Sequence, residues 1–92
     1  MYLEIVSPEA TLFSGEVSSV TVPGTAGEFQ MLENHAPIVS LLQEGKVRIK
    51  GNLVIDEAFQ DRFTKGKDGD ALLEINSGTV EMKDNRIIIL AD

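Results

Sequence analysis

The stretch Val80–Leu90, VEMKDNRIIIL, decides the fold. Val80 and Met82 alternate with Glu81 and Lys83, the period of two that a half-buried strand requires. Ile87, Ile88, Ile89 and Leu90 then follow without a polar break and read as a strand buried on both faces. Between the two runs Asp84-Asn85 reads as a two-residue hairpin turn, because both side chains tolerate left-handed backbone. The same period recurs outward along the chain. Leu3 and Ile5 alternate with Tyr2 and Glu4, Val20 and Val22 with Ser19 and Thr21, Phe29 and Met31 with Glu28 and Gln30, and Val47 and Ile49 with Lys46, Arg48 and Lys50. Val17 is out of phase with Val20, which predicts a bulge near Ser18 and Ser19. Breaks are expected at Ser7-Pro8, Ser14-Gly15, Pro23-Gly24, Gln43-Glu44-Gly45 and Lys67-Asp68-Gly69. Turn signals at this spacing, with strands too short to bury a face alone, predict an all-β domain of two packed sheets.

One stretch departs from the pattern. In Leu53–Gly66, LVIDEAFQDRFTKG, the residues Ile55, Phe59 and Phe63 recur every fourth position, a helical stripe. Asp56 and Glu57 then fall in a first turn, Arg62 and Lys65 in a last turn, and Gly66 just beyond it. The segment is compatible with one short helix or with an extended excursion whose phenylalanines plug the edge of the sandwich.

The 92 residues form one domain, 1–92, since chains this short rarely split. Fifteen acidic residues against eight basic leave a net charge of −7. That field opposes nucleic acid and anionic lipid, and it points to a protein partner carrying a basic patch. No apolar run approaches the roughly 20 residues needed to span a bilayer. The start, MYLEIVSPEA, has no basic n-region and does not read as a signal peptide. With no cysteine, a cytoplasmic setting is the expectation.

Catalytic chemistry is sparse. His35 is the only histidine, so a histidine metal cluster is excluded, and no nucleophile elbow accompanies it as a general base would need. Gly45-Lys46 and Gly66-Lys67 lack the remaining residues of a P-loop. Asp68, Asp70 and Glu74 lack the spacing of a calcium loop and read as a solvated turn. Glu28 and Glu33 lie on opposite faces of a strand-like stretch, where they do not converge for glycoside chemistry. No catalytic, cofactor or metal residue is assigned.

The segment Pro23–Pro37, PGTAGEFQMLENHAP, concentrates proline and glycine and reads as a shaped loop that another surface docks against. Its pattern P-G-x-x-G-E-x-x-x-L-x-x-H-A-P resembles the N-terminal domain of the epsilon subunit of F-type ATP synthases. Phe13-Ser14-Gly15-Glu16-Val17, then Leu42, Gly45, Val47 and Ile49, then Gly78, Val80 and Glu81, and finally Leu90-Ala91-Asp92 are similar to further pieces of that family. The resemblance implies a ten-stranded, jelly-roll-like sandwich. It also implies a noncatalytic rotor-stalk subunit, peripheral on the cytoplasmic face of the bacterial inner membrane. Such a subunit joins the gamma subunit to the ring of c subunits so that ion-driven rotation is coupled to ATP synthesis.

Carried over by position, Gly27 and Glu28 would meet the c-ring loops, which typically present arginine. His35, Ala36 and Pro37 would lie on the gamma side, with Pro23, Gly24 and Asn34 shaping the loop. The chain departs from the family pattern at Gln30, at Glu33-Asn34 where relatives have Pro-Gly, and at Thr79. Gly51–Asp70 reads as an insertion. Relatives continue into two helices that restrain hydrolysis and in some species bind ATP. A chain stopping at Asp92 is expected to do neither, and membrane contact would be indirect, through the c ring. The alternative reading is a free-standing sandwich that binds a small ligand.

Overall fold

A computed structural model describes residues 1–92. Ten strands follow in order: β1 (Tyr2–Val6), β2 (Thr11–Glu16), β3 (Ser19–Gly24), β4 (Gly27–Leu32), β5 (Ile38–Leu42), β6 (Gly45–Lys50), β7 (Phe63–Lys65), β8 (Ala71–Ile75), β9 (Gly78–Lys83) and β10 (Arg86–Ala91). They form two layers, β2-β1-β10-β9-β5 and β4-β3-β6-β8-β7. The expected sandwich is therefore present, with one refinement. Its layers are not separate sheets, because β3 also meets β5 at the single pair Gly24↔Leu42, which makes one curled, continuous ladder. All neighbours are antiparallel except β1 and β10.

Both layers turn an apolar face inward. Leu3, Ile5, Val80, Met82, Ile87 and Ile89 from one meet Val20, Val22, Met31, Val47, Ile49 and Leu73 from the other in a core of 21 buried apolar residues. At about 25 cal/mol per Å² of apolar surface removed from water, this shared core is the main stabilising term of the domain.

Several local expectations hold. Asp84 and Asn85 sit at φ 52° and 61° and close the β9–β10 hairpin between Lys83 and Arg86, as a turn with two left-handed residues requires. Others need correction. Pro23-Gly24 and Ser14-Gly15 are strand residues, not breaks. Pro23 fits in β3 because its carbonyl still accepts the Gln43 N–H at 2.9 Å. Gly24 fits because a Cβ there would lie 2.8 Å from the Gly27 carbonyl oxygen and 2.9 Å from the Phe29 ring. The register irregularity falls between Ile5 and Val6, in the β1–β2 pairing, not near Ser18.

β10 is buried on one face only: Ile87 and Ile89 are inside, whereas Ile88 and Leu90 are 40% and 52% exposed. The apolar run masks the alternation that the backbone obeys.

Between Gly51 and Asp70 a short 3₁₀ helix runs from Glu57 to Arg62, with the Asp56 carboxylate capping the Ala58 N–H at 2.9 Å. Phe63 leaves the helical stripe to open β7, so Gly66 follows a strand. Asp70 is no solvated turn residue. Its side chain is buried, its Oδ2 accepts from Arg48 Nε at 2.9 Å, and that pair ties the lead into β8 to β6.

Candidate functional site

The segment Pro23–Pro37 is a hairpin followed by an extended exit, not a loop. β3 and β4 pair along their length, Val22 opposite Phe29 and Pro23 opposite Glu28, with Thr25 and Ala26 as the turn. Gly27 takes φ 130°, a conformation that L residues avoid. The predicted site residues consequently separate. Gly27 and Glu28 lie exposed at one end of the sandwich. His35, Ala36 and Pro37 lie at the opposite end, past the turn at Glu33-Asn34, on the lead into β5. Asn34 supplies the left-handed residue expected of it, at φ 61°.

The end that bears Glu28 is acidic. Glu9, Glu44 and Asp92 are exposed on neighbouring turns and termini of the same end. The β5–β6 turn packs beside Pro23, so Glu28 and Glu44 flank the same proline. None of these turns carries a lysine or arginine. Lys46, two residues beyond Glu44 on β6, is the basic residue nearest this end, and Lys50, Lys65, Lys67, Lys83 and Arg86 lie toward the far end.

A second surface escaped sequence reasoning. On the outer face of the β1-containing layer, ladder pairing sets Leu41, Thr79, Leu90 and Val6 in one row across four strands. Val39, Glu81, Ile88 and Glu4 form the next row. Val39 is 73% and Leu41 64% exposed. The row toward the far end is charged and aromatic, with the Arg86 guanidinium 5.0 Å from the centre of the Tyr2 ring. The signal was the unbroken apolar run Ile87–Leu90, whose alternate members must point outward on a strand.

At the far end a polar junction holds Glu33. One carboxylate oxygen accepts from the Met1 ammonium, which also lies 3.2 Å from Glu16. The other accepts from Asn85 Nδ2 at 2.9 Å. Asn85 Oδ1 in turn accepts the Asn34 N–H at 2.8 Å. Hydrogen bonding to Glu33, with Glu16 adding to it, raises the ammonium above its ordinary pKa of 8.0. Hydrogen bonds from the ammonium and from Asn85 lower Glu33 below 4.5.

The raised amine contributes stability below about pH 8 that is lost as pH rises through its folded value. The lowered carboxylate contributes stability above about pH 4.5 that is lost as pH falls through its folded value. A plateau of melting temperature between these limits is expected, and Glu33→Gln flattens both shoulders in a pH series of thermal melts.

What this geometry defines is a small β-sandwich, acidic at one end and apolar on one flank. The model of the family "ATP synthase, Delta/Epsilon chain, beta-sandwich domain" matches residues 1–92, so the chain belongs to that family. It is 38% identical over 92 residues to the ATP synthase epsilon chain of Campylobacter curvus, covering all of this chain and 60% of the relative. To the epsilon chain of Chlorobium limicola it is 36% identical over 90 residues, 98% of this chain and 86% of that one. The chain thus spans about 60% of the length of the Campylobacter relative. Its fold is similar to a chain in the Tetrahymena thermophila mitochondrial ATP synthase central stalk and c-ring structure, with a TM-score of 0.70, 17% identity, and coverage of 99% of this chain and 62% of that one. A chain of the Euglena gracilis mitochondrial ATP synthase gives a TM-score of 0.72 at 17% identity, over 97% of this chain and 48% of that one. No helix is long and apolar enough to cross a membrane.

Proposed function

We propose that this domain is a noncatalytic coupling of the ATP synthase rotor, seated on the c ring and held against gamma at the cytoplasmic face of a bacterial membrane. The observation that carries the reading is the placement of two different surfaces on one stiff body. The acidic end, with Gly27, Glu28 and Glu44, suits loops that present arginine. The apolar flank of Val39, Leu41, Ile88 and Leu90, continued by His35, Ala36 and Pro37, suits a large permanent protein partner. A sandwich with a continuous ladder resists shear between the two surfaces, so torque entering at the ring is delivered to gamma without chemistry in this domain. Charge pairs at the acidic end set register and encounter rate more than affinity. The flank supplies the buried area, of which stable complexes need roughly 1,600 Å².

The test is calorimetric titration against gamma from the same organism, then of the pair against the detergent-solubilised c ring. Sub-micromolar one-to-one binding to gamma is expected. Reversing two charges, Glu28→Lys with Glu44→Lys, is expected to weaken ring binding by at least about tenfold at low salt, with a smaller effect as ionic strength rises. It leaves gamma binding unchanged. Absence of gamma binding refutes the rotor reading and turns attention to the small-ligand alternative.

A further inference from the structure

The segment between β4 and β5 presents His35, Ala36 and Pro37, yet almost nothing of its own backbone holds it. Only the His35 N–H, donating to the Leu32 carbonyl at 3.1 Å, forms a backbone hydrogen bond from residues 33 to 37. The His35 ring adds only a local contact, Nδ1 to the Ala36 carbonyl at 2.7 Å. The remaining restraint comes from outside the segment, from the Met1 ammonium on the Glu33 carboxylate and from the side chain of Asn85. Its amide spans two consecutive residues, accepting from the Asn34 N–H and donating to the Glu33 carboxylate. Asn85 is itself fixed, as the second left-handed residue of the tight β9–β10 turn. A side chain on one hairpin therefore sets the path of a segment about fifty positions away in sequence.

We infer that Asn85 and Glu33 are positioning residues that hold the His35–Pro37 segment in its docking geometry before the partner arrives. The inference rests on the reading that this edge faces gamma. Ordering a segment ahead of association removes a cost that binding would otherwise bear. It also leaves the interface backbone nearly unchanged on docking. Neither residue needs to touch gamma. Glu33 stands where the family resemblance has proline of a Pro-Gly pair, so a side-chain clamp here replaces the stiffness of a proline ring.

The decisive variants keep the turn intact. Asn85→Gly removes the clamp while glycine retains the left-handed backbone without strain. Asn85→Asp keeps the acceptor for the Asn34 N–H but sets a carboxylate against Glu33. Pairing Asn85→Asp with Glu33→Gln restores a donor facing an acceptor, with the roles exchanged. Each is titrated into gamma, and amide hydrogen exchange is followed at Asn34 and at the core residues Ile49 and Ile89.

Asn85→Gly and Asn85→Asp are expected to bind gamma about tenfold more weakly. Exchange accelerates at Asn34 and stays slow at Ile49 and Ile89. The double variant recovers binding to within about twofold of the original. A merely structural role would slow or quicken all three amides together and would not be rescued by the exchange of roles. Unchanged affinity in Asn85→Gly with an opened Asn34 amide overturns the inference while leaving the rotor reading intact. Failure of the original chain to bind gamma overturns both.

Discussion

Leu41→Glu is expected to weaken gamma binding about a hundredfold, close to 2.8 kcal/mol, with the melting temperature unchanged within about 2 °C. The side chain is 64% exposed, so the isolated domain gains nothing from its apolar character and accommodates a carboxylate in water. In the complex the same position lies in a row with Thr79, Leu90 and Val6, and a carboxylate there must be desolvated without a partner. Truncations at well-packed interface centres cost about 2 kcal/mol or more, and burying an unpaired charge adds to that. Calorimetry against gamma, with thermal melts of the free domain, separates the two effects. Equal binding by Leu41→Glu and the original would move the gamma contact off this flank.

Ile89→Ala is expected to do the reverse. Ile89 is inaccessible to solvent and pairs with Ile5 and Val80 on either side. Deleting its branched side chain removes transfer energy and leaves a cavity, for a loss of about 2–5 kcal/mol. In a domain of this size that lowers the melting temperature by roughly 10 °C or more. Ile88→Ala, one residue earlier on the exposed face, shifts stability by no more than about 0.5 kcal/mol. Denaturant titration of both variants reads the alternation directly. Comparable losses at the two sites would contradict the one-sided burial of β10.

The architecture was legible wherever polar residues marked the outward positions of a strand. Lys46, Arg48 and Lys50 mark β6, and Asp84-Asn85 mark the final hairpin through their tolerance of left-handed backbone. It was illegible where a second pressure overrode the alternation. Ile88 and Leu90 look like core because they are apolar, yet the pleat turns them outward. Pro23-Gly24 looks like a break, yet proline's carbonyl serves Gln43 and glycine's missing side chain admits Phe29, both facts of tertiary packing. Between Leu53 and Gly66, the four-residue spacing of Ile55, Phe59 and Phe63 located the 3₁₀ turn, but pairing of Phe63 with Leu73 pulled its last member into a strand. The motif carrying Glu28 and His35 read as a docking loop. The register makes it a hairpin and sets Glu28 and His35 at opposite ends of the molecule.

β10 lies between β1 and β9, so a strand that emerges late in synthesis is an interior member of its layer. Until Arg86–Ala91 has left the ribosome, β1 has no partner on that side, and Ile87 and Ile89 are missing from the core. The outer row formed by Leu90 and Val6 does not yet exist. A nascent chain thus exposes its inner faces and lacks Ile88 and Leu90, the two central members of the apolar outer rows, until β10 is made. The long-range pairing of β1 with β10 also raises contact order, which slows folding in vitro. On the proposed rotor reading, strand order acts as a checkpoint: a domain without β10 lacks half of the flank proposed to meet gamma.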